Sequence, residues 1–329
     1  MSHTHAPEIS SNDQSTQEFL AESQPMLNQL EAFRLSQLKS YTLRKKLILP
    51  VGVAALVLLG AIDYVLLKLQ SGLEDPYGGV TIFGLIGLWF WLQWPNWEYK
   101  RAYKEKVLPQ IVSLFGPFKY RESGKIAASA MRPSKILPEF TSYESEDHFS
   151  GTYKKVEIEF AEIELLAGRK KHERTVFEGI AILLSRGTKT FHGHTIITKD
   201  RGRLDRWWRE KTDDLKRADL ADPEFEKQFD VFTTDQVEAR YLIDPRIIEN
   251  IKALYREHGG TQLSAAFYDQ HVLILIGSSK DHFEAANIKT PAFDQANILS
   301  LRNEIAQIIS IIDQLELYDR RHQRSTNVA

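Results

Sequence analysis

The block from Leu47 to Trp94 constrains this chain more than any other part, because it carries two apolar runs separated only by a short turn-forming connection. The first, Leu47 to Leu67, holds seven Leu, two Ile and four Val in 21 residues. As a helix it is about 31 Å long at 1.5 Å per residue, enough to span a hydrocarbon core of about 30 Å. Each central Leu, Ile or Val favours insertion by ~0.3 to 0.6 kcal/mol, so these outweigh Asp63, which costs at most ~3 kcal/mol. Asp63 lies near the end of the run, where an interfacial role is favoured over a proton relay. The second run, Gly78 to Trp94, ends among Trp89, Phe90, Trp91, Trp94 and Trp97, which reads as an interfacial aromatic belt. Gly52, Gly60, Gly84 and Gly87 would let the two helices approach closely, without forming a GxxxG motif.

The flanking charges set an expected orientation. Arg34, Lys39, Arg44, Lys45 and Lys46 precede the first run, and Lys100, Arg101, Lys104 and Lys106 follow the second. The connection offers only Lys68, so both termini are expected in the cytoplasm. A signal peptide is not expected, since the first run starts late and a second follows it. The rival reading is a buried apolar hairpin in a soluble protein. The remaining charge is nearly balanced, with 42 Lys+Arg against 44 Asp+Glu, which argues against a nucleic-acid binder. The absence of cysteine excludes disulfides, a zinc ribbon and a thiol nucleophile.

Residues 1–15 are polar and expected to be disordered. From 16 to 46, Phe19, Leu20, Met26, Leu27, Leu30, Phe33, Leu35 and Leu38 recur at helical spacing, with a kink or restart expected at Pro25. This amphipathic helix ends in basic residues that suit a surface of anionic lipid. At the other end, residues 291–321 place Ile298, Leu301, Ile305, Ile308, Ile312 and Leu315 in an a/d seam, broadened by Ile309 and Ile311. Packing on the protein's own core and self-association both fit that seam.

Between them, residues 95–290 read as an α+β domain on a mainly antiparallel sheet. A helix is expected from Glu98 to Phe115, a second over 204–218, and a third that begins after the start signal Asp244–Pro245 and closes at Gly259. Strands are expected over Tyr153–Leu166, where Val156, Ile158 and Phe160 alternate with charged residues, and over Arg174–Ser185 and Phe191–Thr198, and a hairpin turns near Tyr268, Asp269 and Gln270.

Three motifs carry a resemblance. Phe191 to Thr195 reads FHGHT, Asp222 to Phe229 reads DPEFEKQF, and Asp235 to Pro245 reads DQVEARYLIDP. With these, the chain resembles the bacterial membrane-protein family known as domain of unknown function 3137 (DUF3137) over roughly residues 105–286. The resemblance implies a cytoplasmic domain anchored by paired N-terminal spans in the bacterial plasma membrane. It supplies no catalytic residue and no cofactor.

The motif residues have readings of their own. An HxH pair on a strand, His192 and His194, is half of a metal site, although no local third ligand completes it and solvent-side histidines are favoured. Asp222 and Pro223 suit a helix start, after which Phe225 and Phe229 share a core-facing side. Glu226, Asp235, Glu238 and Arg240 are expected to form an ion-pair network at a helix–strand junction beside Tyr241, with a catalytic acid among them the weaker reading. Gly193 and Thr195 belong to the same structural motif. The cluster Arg201, Arg203, Arg206, Trp207, Trp208 and Arg209 suits an anion, a lipid headgroup or a protein interface, with plain packing also open. No phosphate loop, dinucleotide fingerprint, hydrolase elbow or zinc-protease motif is present.

The expectation is thus a two-span membrane protein whose cytoplasmic domain acts as a tethered binding, scaffold or sensor module, with the lipid bilayer and a protein partner or second copy as its partners and no nucleic acid. The alternative is a membrane-tethered enzyme, possibly a metal-dependent hydrolase built on His192 and His194.

Overall fold

Two helices account for nearly all of the first hundred described residues: α1 (Ser10–Leu69) and α2 (Gly79–Ser113). The computed structural model describes residues 10–69, 79–169, 172–187, 190–199, 214–218, 220, 222–257, 262–278, 282–284 and 287–314. Helix α1 begins at Ser10, inside the stretch expected to be disordered, because nothing between Ser10 and Thr16 breaks a helix propagating outward. It runs without interruption through Pro25 and Pro50. Helix α2 likewise merges the second apolar run with the helix expected after it.

The chain divides into two units. The first comprises Met1–Lys106 with Ala285–Leu299, and the second Val107–Glu284 with Ser300–Ala329. In the first, α1 and α2 run antiparallel: Gln37 donates to Glu98, Arg44 reaches Trp91 and Asp63 reaches Thr81, so rising positions on one helix meet falling positions on the other.

The second unit is built on a sheet. Among the described residues nine strands pair antiparallel throughout: β1 (Lys119–Arg121), β2 (Ser142–Tyr153), β3 (Val156–Ala167), β4 (Arg174–Ser185), β5 (Thr195–Thr198), β6 (Lys216–Arg217), β7 (Asp230–Thr233), β8 (Gln262–Tyr268) and β9 (His271–Gly277). Their order is β1-β2-β3-β4-β9-β8-β5-β7-β6. The α+β class on an antiparallel sheet is therefore present. Strand β3 follows the expected alternation as far as Phe160, where the buried parity switches to Ala161, Ile163 and Leu165. The partner strand bulges nearby, between Glu146 and Phe149, around Asp147 at φ 50°.

Both faces of the central strands are covered, which is why β8 and β9 are buried at nearly every position rather than at alternate ones. One face meets Ile126, Met131, Ile136 and Leu137, which come from around the short helix α3 (Ala128–Met131). On the other, Leu263, Ala265, Phe267 and Ile274 face Ile251 and Leu254 of α6 (Pro245–Glu257) and Ile311 of α7 (Gln295–Gln314). Two further helices, α4 (Pro223–Gln228) and α5 (Gln236–Leu242), flank β7.

The seam on α7 is buried in the chain itself: Ile298, Leu301, Ile305, Ile308, Ile309, Ile311 and Ile312 are each at most 3% exposed. Leu315 lies outside the described residues. The expected helix over 204–218 is corrected at its end, where Lys216 and Arg217 form β6 because β7 offers Phe232 and Thr233 as pairing partners.

Candidate functional site

Three constructions deserve description as sites: the apolar helix pair, a polar clasp beside it, and the place where the FHGHT and DQVEARY motifs meet.

Within α1, the segment Gln24–Val65 is long and apolar enough to cross a membrane, and none of its apolar window is buried. It is the one such helix among the described residues. The apolar part of α2 is shorter, yet it too turns large side chains outward. Leu49 is 75% exposed, Val57 70% and Phe83 75%. Contact between the two helices is close, since a Cβ on Gly84 would overlap Leu59 and one on Gly52 would touch Leu88 at 3.4 Å.

Polar bonds close the pair at both ends. Pro95 lacks an N–H, so the Trp91 carbonyl four residues earlier has no helical donor. Arg44 supplies one: its Nη1 donates to Trp91 O at 2.6 Å and its guanidinium lies 5.2 Å from the Trp91 ring. At the opposite end Asp63 Oδ2 accepts from the Thr81 hydroxyl at 2.6 Å and the Thr81 amide at 3.2 Å. That amide belongs to the first turn of α2, where backbone donors have no helical partner. Asp63 thus caps the neighbouring helix.

The clasp was not visible in sequence. Arg34, only 6% exposed, donates Nε and Nη2 to the Glu31 carboxylate at 2.8 and 2.6 Å and Nη1 to the Ile288 carbonyl at 2.7 Å. Glu31 also accepts from the Ala292 amide at 2.8 Å, and Asn96 accepts from the Ile288 amide at 3.3 Å. Asn297 donates to the Tyr103 hydroxyl at 3.0 Å. The returning segment 287–299 is therefore bound to both helices through its backbone. The Arg34 guanidinium holds the Glu31 carboxyl below its ordinary value, against the opposing effect of burial. Burial pushes the Tyr103 hydroxyl up to about 12 and raises that of Tyr99 as well. Arg34, counted above among the flanking charges, is thus committed to an internal pair.

The third construction joins two of the three motifs. Residues 191–194 are a bent connection and only Thr195–Thr198 is strand, so the alternation that would put His192 and His194 on one face does not apply. The cause lies in the backbone donors. His192 N donates to Glu238 Oε1 at 2.8 Å, Gly193 N to Glu238 Oε2, and His194 N to Thr234 Oγ1 at 2.8 Å, which replaces a strand ladder with side-chain acceptors. Gly193 is required, because a Cβ there would sit 2.7 Å from Asp235 Cβ and 3.0 Å from Thr234 Oγ1.

Across the junction, Asp235 caps α5 by accepting from Val237 N and Glu238 N at 2.9 and 3.0 Å. In a capping box the Glu at this position would return to the cap residue's own amide. Here Thr233 Oγ1 already accepts from that amide at 3.0 Å, which leaves Glu238 free to hold the FHGHT backbone. Thr195 and Thr233 meet at 2.9 Å between buried hydroxyls, and Phe191 packs edge-on against Phe267. Asp235 and Glu238 therefore act on backbone amides, where an ion-pair network was expected. Glu226 similarly accepts from Leu220 N at 3.1 Å.

The remaining residues are placed as follows. Asp222 caps α4 with Pro223 in its first turn, and Phe225 and Phe229 are fully buried and stacked 4.9 Å apart. Lys252 donates to Asp222 at 3.3 Å. His194 Nε2–H donates to Ser134 O at 2.9 Å and its ring stacks on Tyr268, and burial lowers its pKa from the usual histidine value. His192 is exposed. Among the described residues no group of three His, Asp or Glu side chains is arranged to hold a metal ion. Arg201, Arg203, Arg206, Trp207, Trp208 and Arg209 lie outside the described residues. On α5, Arg240 is exposed, and Val237 and Tyr241, four apart on one side, are 79% and 85% exposed.

Both halves of this lock, with the α4 motif, fall within one stretch of sequence. Residues 175–317 match the family described as Protein of unknown function (DUF3137). The DUF3137 segment begins within β4 and includes FHGHT, DPEFEKQF and DQVEARYLIDP, so it starts later and ends later than the expected 105–286. No curated protein and no solved structure matches the chain.

Proposed function

We propose that this chain is an integral membrane protein of the bacterial plasma membrane, with spans at 47–67 and 78–94 and both termini in the cytoplasm. Its α+β domain, which contains most of the DUF3137 segment, is a membrane-tethered binding, scaffold or sensor module. The observation that carries the membrane reading is the outward-turned apolar surface on both helices, with Leu49, Val57 and Phe83 at least 70% exposed. Water does not tolerate a contiguous patch of that kind on a folded monomer. The polar bonds at both ends support a paired insertion, because a bilayer requires each backbone group to find an internal partner and Arg44 and Asp63 supply two that the helices lack.

The binding role rests on α5. Asp235 and Glu238 spend their carboxylates on fixing that helix, while Val237 and Tyr241 stand out from it. A rigidly held helix with an exposed aromatic and an exposed branched side chain suits recognition of another protein. Carbonate extraction tests the membrane half: the chain stays in the membrane pellet, and release into the soluble fraction would reject the spans. Purification in mild detergent tests the other half. A partner retained by wild type and lost on Val237→Ser/Tyr241→Ser supports the module, and equal retention rejects α5 as its surface.

A further inference from the structure

The basic residues that precede the first span divide into two groups with different fates. Arg34 is spent on Glu31 and Ile288 O, and Arg44 on Trp91 O. Lys39, Lys45 and Lys46 are exposed, and among the described residues none of their ammonium groups has an ion-pair partner. The sequence places no acid between Glu31 and Asp63, so this stretch of α1 is uniformly positive.

Helix pairing fixes the height of these lysines. The Arg44–Trp91 bond sets Lys45 and Lys46 level with Trp89–Trp91, and the Gln37–Glu98 bond at 3.2 Å sets Lys39 near Trp94 and Trp97. Trp89, Phe90 and Trp97 form an edge-to-face cluster with centroids 5.2–5.4 Å apart, and Trp94 is exposed. Indole rings settle at the headgroup level of a bilayer. The exposed apolar side chains Leu43 and Leu47 lie next to the lysines in sequence.

We propose that this collar is a selective binding surface for anionic phospholipid, in which Lys39, Lys45 and Lys46 hold the headgroup phosphate while Leu43, Leu47 and the indole cluster pack on its acyl chains. It rests on the two-span reading and adds the lipid class. A zwitterionic lipid presents the same phosphate with its own ammonium beside it. The net attraction, and with it the preference, comes from the unpaired lysines. Each basic group near an anionic surface adds about 1 kcal/mol, or roughly fivefold in occupancy.

The test uses the full chain with Trp207→Phe/Trp208→Phe, so that emission comes from Trp89, Trp91, Trp94 and Trp97 alone. It is reconstituted in phosphatidylcholine vesicles with about 20% phosphatidylglycerol, a minor anionic fraction of the kind that gives a leaflet its negative potential, and brominated acyl chains are carried by one lipid or the other. Brominated phosphatidylglycerol should quench several-fold beyond its mole fraction, the excess should shrink in high salt, and added inorganic phosphate at matched ionic strength should leave it unchanged. Lys39→Gln/Lys45→Gln/Lys46→Gln should abolish the excess while brominated phosphatidylcholine still quenches as for wild type. Quenching in proportion to mole fraction, or an excess that survives the lysine substitutions, overturns the proposal. Competition by inorganic phosphate would show a phosphate site in place of a lipid one and overturns it too. Quenching by neither lipid rejects the spans themselves, and the proposal with them.

Discussion

Replacing Glu238 with Ala tests whether the two motifs form one structural unit. The carboxylate accepts from two amides, those of His192 and Gly193, and a hydrogen bond to an ionised group is worth ~1.5–3 kcal/mol. The His192 amide lies at the exposed end, where water can replace the acceptor, so its share falls to about 0.5 kcal/mol. The bond from the Gly193 amide is partly buried and retains roughly 1.5–2 kcal/mol. The sum, about 2–2.5 kcal/mol, corresponds to a fall of roughly 4–10 °C in the melting temperature of a domain this size. Differential scanning fluorimetry of the full chain in detergent measures it. Gly193→Ala should destabilise by a similar amount, since its Cβ would strike Asp235 Cβ, and the double variant should cost clearly less than the sum because both changes break the same contact. A Glu238→Ala loss within about 0.5 kcal/mol, the range of an ordinary surface substitution, or full additivity would refute the lock.

Other consequences follow from the remaining contacts. Arg44→Leu leaves the Trp91 carbonyl without a donor and should cost about 1–2 kcal/mol, whereas adding Pro95→Ala restores a helical N–H and should recover part of that loss; thermal unfolding in micelles compares the two. His194 has a folded-state pKa below the usual 6.5, so the unfolded chain binds more protons just below that pH. Its contribution is therefore complete above about pH 6.5 and is lost as pH falls toward the folded value; melting curves should show a shallower acid-side decline for His194→Gln, which keeps a donor for Ser134 O without titrating. Ile305→Ala removes a fully buried side chain from α7 and should cost roughly 2–5 kcal/mol by denaturant titration, against under about 0.5 kcal/mol for the exposed Asn303→Ala.

How much the sequence disclosed depended on the range of the interaction concerned. The Leu47–Leu67 part of α1 was legible because length and apolar composition alone mark a helix able to cross a membrane, and no partner need be known. Strand β4, the β8–β9 hairpin and the Asp222 and Asp244 helix starts were legible for a related reason: alternation and capping are local, and Asp244 does accept from Ile247 N at 2.9 Å. The two histidines were misread because the alternation of Thr195–Thr198 was extended backwards across Gly193, although an isolated glycine in a strand pattern signals a close approach, here to Asp235. Strand β2 was missed because SYESEDHFSGTY is polar at most positions and is held by its pairing with β3. The Arg34–Ile288 bond joins residues 254 positions apart, beyond any local pattern. The Arg44–Trp91 bond had a readable clue, since Pro95 inside a helix announces a carbonyl in need of a donor.

The central claim is a membrane hairpin that leaves the domain and both termini on one side. Since the natural chain has no cysteine, single substitutions report on sidedness without background. Ser71→Cys lies between the proposed spans, whereas the exposed Ser36→Cys and Ser113→Cys lie before and after them. Treated with a membrane-impermeant maleimide in intact spheroplasts, Ser71→Cys should be labelled, and Ser36→Cys and Ser113→Cys only after permeabilisation. Labelling of Ser113→Cys in intact spheroplasts, or protection of Ser71→Cys until they are opened, would contradict the account.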